Sequence, residues 1–264
     1  MKGTTVKGVS MKITIFVRQG MILSAALVLA GAICQADAAD IIVDGDFEAT
    51  KSGNYLRRDD KGQDWYESRK DTNEGRALLK LSTKDIGGND TRKAMIKAHP
   101  ELNTYLSQRF AEPMSIYLSI QYDVYVSEIL ADDNRSAFFF AGTIKDKKGG
   151  PNSTGSERFV FLGFENATEE GKINLFAREG ESTWSEKTIV ANNLDLGKWY
   201  TISVEANIPE GVYEVTVAGV VDALELEANF TKGKTPDVLT HISFASWNDG
   251  AGTFYVDNIT AQGN

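Results

Sequence analysis

Apolar and polar residues alternate along most of this chain, and the alternation has the period of two that marks a half-buried β-strand. The clearest runs predict strands at Ala77 to Leu81, Ser115 to Ser127, Ser136 to Ile144, Arg158 to Phe164 and Lys172 to Arg178. Four more follow at Trp199 to Ala206, Tyr213 to Val220, His241 to Ser246 and Thr253 to Thr260. Turn-rich pieces separate them, among them Asp85 to Asp90, Lys148 to Gly155 and Ile208-Pro209-Glu210-Gly211. Helical periodicity is scarce. Arg92 to Leu106 reads equally as a helix, with Ala94, Met95, Ile96, Leu102, Tyr105 and Leu106 along one face, or as a strand and a loop broken at Pro100. Short strands, polar turns and no βαβ alternation predict an all-β fold: a two-sheet antiparallel β-sandwich, a jelly roll.

Residues 1 to 38 depart from this pattern. Lys12 and Arg18 precede an apolar run from Met21 to Ile33, and Ala36-Asp37-Ala38 supplies small residues two apart, which predicts a secretory signal peptide cleaved after Ala38. The run is about half the ~20 apolar residues of a membrane-spanning helix, so no membrane insertion is expected once the leader is cut. Residues 39 to 264 then form a single sandwich domain, secreted to the periplasm or the exterior. The one cysteine, Cys34, lies in the leader, so the sandwich has no disulfide and must be held by its core.

Charge narrows the partners. The whole chain carries a formal charge of −9. The leader holds four basic residues and one acidic residue, which leaves 24 basic against 36 acidic side chains and a charge of −12. An acidic balance disfavours nucleic acid and anionic lipid, since both bind through clustered Lys and Arg.

The two ends of the sandwich carry a pair of motifs: Ile41-Ile42-Val43-Asp44-Gly45-Asp46-Phe47-Glu48 and Gly252-Thr253-Phe254-Tyr255-Val256-Asp257-Asn258-Ile259. Between them stand Gly197-Lys198-Trp199-Tyr200-Thr201-Ile202 and Gly211-Val212-Tyr213-Glu214-Val215-Thr216-Val217. Together they resemble concanavalin A-like lectin/glucanase domains of the laminin-G-like kind, and also bacterial carbohydrate-binding modules. The resemblance implies that the first and last strands pair. It also implies a structural calcium held by the carboxylates of Glu48 and Asp257, with Asp46 or backbone carbonyls completing the oxygen shell. The plainer reading of these acids is charge on edge strands that discourages aggregation. On a strand, Asp44, Asp46 and Glu48 would share one face.

A lectin-like sandwich needs a polar face with aromatic platforms for sugar rings. Tyr117, Gln121, Asp123 and Tyr125 alternate with the apolar Leu118, Ile120, Tyr122, Val124 and Val126, and Asn174, Phe176 and Arg178 alternate in the same way. These seven are the candidate carbohydrate contacts, together with Trp65 and Trp184 as solvent-facing platforms. Trp247 is placed near a loop rim. Phe138-Phe139-Phe140 and Phe159, Phe161 and Phe164 read as core instead.

Catalytic motifs are absent. There is no Glu-x-Asp-x-x-Glu pair of hydrolase carboxylates, no Gln-Ile-His or Gln-Val-His strand of the alginate-lyase kind and no Gly-x-Ser-x-Gly elbow. Only His99 and His241 could act as an imidazole base. The leading expectation is a secreted domain that binds poly- or oligosaccharide without changing it. A structural or adhesive sandwich with no sugar site, and a divergent polysaccharide lyase or glycoside hydrolase, stay open beside it.

Overall fold

The computed structural model describes residues 40–49, 65–67, 78–99, 103–129, 135–144, 156–179, 187–220, 226–230, 235–246 and 252–264. All lie in the compact unit Asp37–Asn264. The leader, Trp184 and Trp247 lie outside the described residues.

Among the described residues fourteen strands follow one another: β1 (Tyr66–Glu67), β2 (Leu79–Ser82), β3 (Lys93–Lys97), β4 (Thr104–Met114), β5 (Tyr117–Ile129), β6 (Arg135–Ile144) and β7 (Ser156–Asn166). The second half adds β8 (Lys172–Arg178), β9 (Lys187–Asp195), β10 (Trp199–Asn207), β11 (Val212–Val217), β12 (Leu226–Asn229), β13 (Leu239–Ser246) and β14 (Gly252–Gly263). They form two antiparallel sheets of seven. The front sheet runs β1-β4-β13-β6-β7-β8-β9 and the back sheet β12-β11-β10-β5-β14-β3-β2. This is the expected β-sandwich jelly roll, and every strand expected from the alternation is present.

The undecided stretch from Arg92 to Leu106 resolves into β3 and the start of β4. Ala94 and Ile96 face the core, and β3 is paired on both sides, by β14 and β2. Two ladders of backbone hydrogen bonds outweigh the local helical spacing.

Side chains from the two inner faces form one core. Leu118, Ile120, Tyr122, Val124 and Val126 of β5 meet Ala137, Phe139 and Ala141 of β6 and Ile242 and Phe244 of β13. Tyr122 stacks on Phe139 with ring centroids 4.9 Å apart and meets Phe244 edge-on at 5.1 Å.

The chain ends meet as expected, through backbone bonds from Ile41 N to Ala261 O (2.8 Å) and from Ile259 N to Gly45 O (3.0 Å). Residues 41–49 are bends and turns rather than a strand, and Asp44 and Phe47 have φ of 53° and 56°. The expected acidic stripe therefore does not form: Asp44 Oδ1 accepts from Ala49 N and Asp46 Oδ1 from Glu48 N, each closing a local turn.

Trp65 corrects a second expectation. It is 1 % exposed, donates its indole N–H to Asp44 O (3.0 Å) and packs on Phe47 at 5.4 Å. The turn that breaks the acidic stripe supplies the buried acceptor an indole requires, so this tryptophan is core and no sugar platform.

Candidate functional site

The expected binding face does not exist as one surface. Tyr117, Gln121, Asp123 and Tyr125 stand on the outer face of the back sheet, while Asn174, Phe176 and Arg178 stand on the outer face of the front sheet. The whole core lies between them. Each strand shows the right alternation, but alternation cannot say which sheet a strand joins.

On the back sheet the candidates are committed to one another. Asp123 accepts from Thr201 Oγ1 (2.6 Å) and from Asn258 Nδ2 (2.8 Å). Tyr125 packs against Trp199 and Tyr255, and the loop at Gly87 lies on its ring so closely that a Cβ there would come within 2.5 Å of Cε2. Trp199 anchors the same loop by donating to Ile86 O (2.7 Å). Gln121 is exposed, and Tyr117 borders a depression of about 390 Å³ with Ile116, Glu205, Glu210 and Glu214. This end of the sheet is apolar and acidic.

The front sheet is different. Register places Arg109 of β4 opposite His241 of β13, His241 opposite Gly142 of β6, and Gly142 opposite Arg158 of β7. At strand spacings of about 4.8 Å this row spans roughly 14 Å. Gly142 leaves it without a side chain at its middle. In the next row Ser107 and Ser243 share a hydrogen bond of 2.6 Å and Phe140 pairs with Phe161.

Beneath the charges lies a second apolar cluster of Phe138, Phe140, Phe161, Phe176 and Ala245, separate from the main core. Its four rings are at most 1 % exposed although they stand on an outer face. Cations lie over them: Arg158 over Phe140 (4.8 Å), Arg178 over Phe161 (5.6 Å) and Lys187 over Phe176 (5.4 Å). Phe176 is thus a buried support for a lysine and no exposed sugar contact. The phenylalanines read as core are core, but each run is split between the two sides of the front sheet, Phe139, Phe159 and Phe164 in the main core and Phe138, Phe140 and Phe161 in the second cluster.

The electrostatics of this face are strained in one direction. Burial lowers the pKa of Arg178, and the like charges of Arg135 and Arg158 lower it further. Arg158 is lowered by burial, against which its contact with Tyr105 acts. Lys187 pairs with Glu165. His241 is fully buried, and its pKa is pulled down to about 3 by burial first and then by Arg158 and Arg109. The imidazole is therefore neutral. Its Nδ1 lies 3.3 Å from Thr240 Oγ1, and its Nε2 has no hydrogen-bond partner among the described residues. A buried polar atom left unsatisfied costs about 1–3 kcal/mol, so Nε2 calls for a partner such as an ordered water, an ion or a reacting group.

Arg109, Arg158 and Tyr105 were not among the candidates from sequence, and His241 entered there only as one of two possible imidazole bases. His241 and Arg158 open expected strands, but only the register of four strands, none sequential with its neighbour except β6 and β7, brings them into one row.

The expected calcium ligands occupy the corner where the chain ends meet. Asp257 is 1 % exposed; its Oδ1 accepts from Asn258 N (2.8 Å), and its Oδ2 accepts from Asn89 Nδ2 (2.9 Å) and Thr91 Oγ1 (3.0 Å). Glu48 Oε1 accepts from Arg92 N (2.8 Å). Calcium needs six to eight oxygens with free lone pairs. These carboxylates are turned to N–H and O–H donors, and no group of three or more His, Cys, Asp or Glu with metal-binding geometry occurs among the described residues. Both carboxylates are thus already held by protein donors.

No family model matches the chain, and no curated protein matches it. Solved structures with a similar fold include a sialidase (11 % identity, TM-score 0.45), covering 71 % of this chain and 16 % of that one, so this chain spans about a sixth of its length. Others are the alginate lyase AlgAT5 of polysaccharide lyase family 7 (12 %, TM-score 0.47, covering 70 % and 82 %) and the lectin UEA-II complexed with galactose (11 %, TM-score 0.46, covering 79 % and 95 %). Identities this low say nothing about ligand or activity. The sandwich itself rests on the strand pairing above.

Proposed function

We propose that this protein is an exported glycan-binding sandwich that holds an acidic polysaccharide against the outer face of its front sheet. The observation that supports the reading is the row Arg109–His241–Gly142–Arg158. It collects cations in a chain whose formal charge is −9, and Arg135 and Arg178 extend the charge at one end. Like charges at close quarters are costly alone and favourable around an anion. A carboxylate or sulfate lying over Gly142 and His241 would sit between the guanidinium groups of Arg158 and Arg109, and guanidinium binds such groups through paired hydrogen bonds. Hydroxyls of the same chain of sugars would find the half-buried Tyr105. Export rests on the leader and is checked by the N-terminal sequence of the protein recovered outside the cytoplasm.

His241 supports a second reading, cleavage of the same polymer. Thr240 Oγ1 lies 3.3 Å from both Gly142 O and His241 Nδ1. When the hydroxyl donates to the carbonyl, Nδ1 must carry the imidazole proton and Nε2 presents a bare lone pair, the form a general base requires.

The test is calorimetric titration with acidic and neutral polysaccharides, with chromatography of the mixtures afterwards. Binding of the acidic polymers alone, weakened at least about tenfold by Arg158→Ala, is the expected result. Shortened products lost in His241→Gln would move the assignment to cleavage. Equal affinity for neutral polymers, or none for any, would overturn the reading and favour a structural sandwich.

A further inference from the structure

Lys93 has no exposed surface, although β3 lies one strand from the sheet edge. Lys93 and Asp257 each stand one residue beyond the paired Ala94 and Val256. The ammonium donates to the carbonyl of Lys84 (2.8 Å) and to that of Thr91. The Thr91 hydroxyl, with its one proton shared between Asn89 Oδ1 (2.5 Å) and Asp257 Oδ2 (3.0 Å), links the buried cation to the buried carboxylate. Asp257, Asp85, Asp90 and Glu48 all stand near enough to favour the charged amine, against the burial that lowers its pKa.

Those two carbonyls and the neighbouring carboxylates are the oxygens that a hard cation would use. An ammonium has already taken them. We propose that Lys93 is the resident cation of this corner and that, in place of calcium, it ties the loop from Lys84 to Thr91 to the closing strand at Asp257. The ion is carried in the sequence, so the corner forms with the fold and does not depend on the metal content of the surroundings. The positive charge also leaves Asp257 compensated, which a buried carboxylate requires.

The experiment compares the melting temperatures of the purified protein, Lys93→Met and Lys93→Arg, each with added calcium and with a chelator, alongside metal analysis of the wild type. The wild type should melt at one temperature in all conditions and carry no stoichiometric calcium. Lys93→Met should melt roughly 3–12 °C lower, the size expected when a buried charged donor is taken from its hydrogen-bond acceptors in a domain of this size. Lys93→Arg, which keeps the charge, should retain much of the difference. A wild type that gains stability from calcium and loses it to the chelator would overturn the proposal, and so would a Lys93→Met protein that melts with the wild type. If Lys93→Met does not accumulate folded, the wild-type response to calcium and chelator decides alone.

Discussion

His241 shows how much a single side chain can be altered by its place. Its ordinary pKa of 6.5 falls to about 3 because burial and two flanking arginines oppose a charge on the ring. Between those pH values the unfolded chain binds a proton that the folded chain refuses, so the unfolded state holds more protons and stability rises with pH. The expected outcome is a loss on the order of 1.4 kcal/mol per pH unit as the pH falls below 6.5, ending near 3. Urea unfolding across this range, with His241→Gln as comparison, checks it. The variant should lose the slope, and a wild type whose slope is unchanged by the substitution would contradict the buried neutral ring. An anion bound between Arg109 and Arg158 would cancel their repulsion and raise the imidazole pKa again.

At the scale of elements, the front sheet carries apolar residues on both faces where β6 and β7 run side by side. Phe139 enters the main core while Phe138 and Phe140 enter the second cluster. Gly163 of β7 makes the second cluster possible. A Cβ there would lie 2.7 Å from Phe176 Cζ and 2.8 Å from Phe138 Cδ1. Gly163→Val should cost about 1–3 kcal/mol through overpacking and tilt the cationic layer above the rings. The loss should appear both in chemical denaturation and in affinity for acidic polysaccharide, whereas unchanged stability would mean that the rings have room to move.

β4 was the element least legible in advance. Ser107 and Gln108 are buried on opposite faces, Gln108 reaching the backbone of Val43 and Ser107 the hydroxyl of Ser243, so polarity there does not mean exposure. Pro113 further hid the strand. By contrast β5 was legible residue by residue, because one face is core and the other polar along all its length.

For the whole molecule, the opening segment 40–49 contributes little secondary structure but closes the sandwich. It buries Ile42 and Phe47, supplies the acceptor for Trp65 and bonds to β14 at Ala261 and Ile259. A chain starting at residue 50 should lose at least the ~3–5 kcal/mol of one buried phenylalanine and its cavity. Its thermal unfolding should shift downward by roughly 6 °C or more. A truncated chain as stable as the parent would show that the segment is an appendage. Charge also matters only at this scale. The chain is acidic in sum, yet Arg109, Arg135, Arg158 and Arg178 stand on the front sheet and Glu205, Glu210 and Glu214 gather at one end of the back sheet.

The sequence by itself determined the period of the strands, which face of β5 is apolar and the core role of Phe138, Phe139, Phe140, Phe159, Phe161 and Phe164. Each follows from local alternation or from residue size, which act over a few positions and are written directly in the chain. Only the tertiary structure decided that β5 and β8 belong to opposite sheets, that Trp65 is buried, that Lys93 fills the corner expected for a metal, and that Arg109, His241 and Arg158 form a row. Those outcomes depend on which strands pair and in what register. Pairing is set by the cooperative closing of two sheets over one core, between residues as far apart as Arg109 and His241, and no pattern within a single strand encodes it.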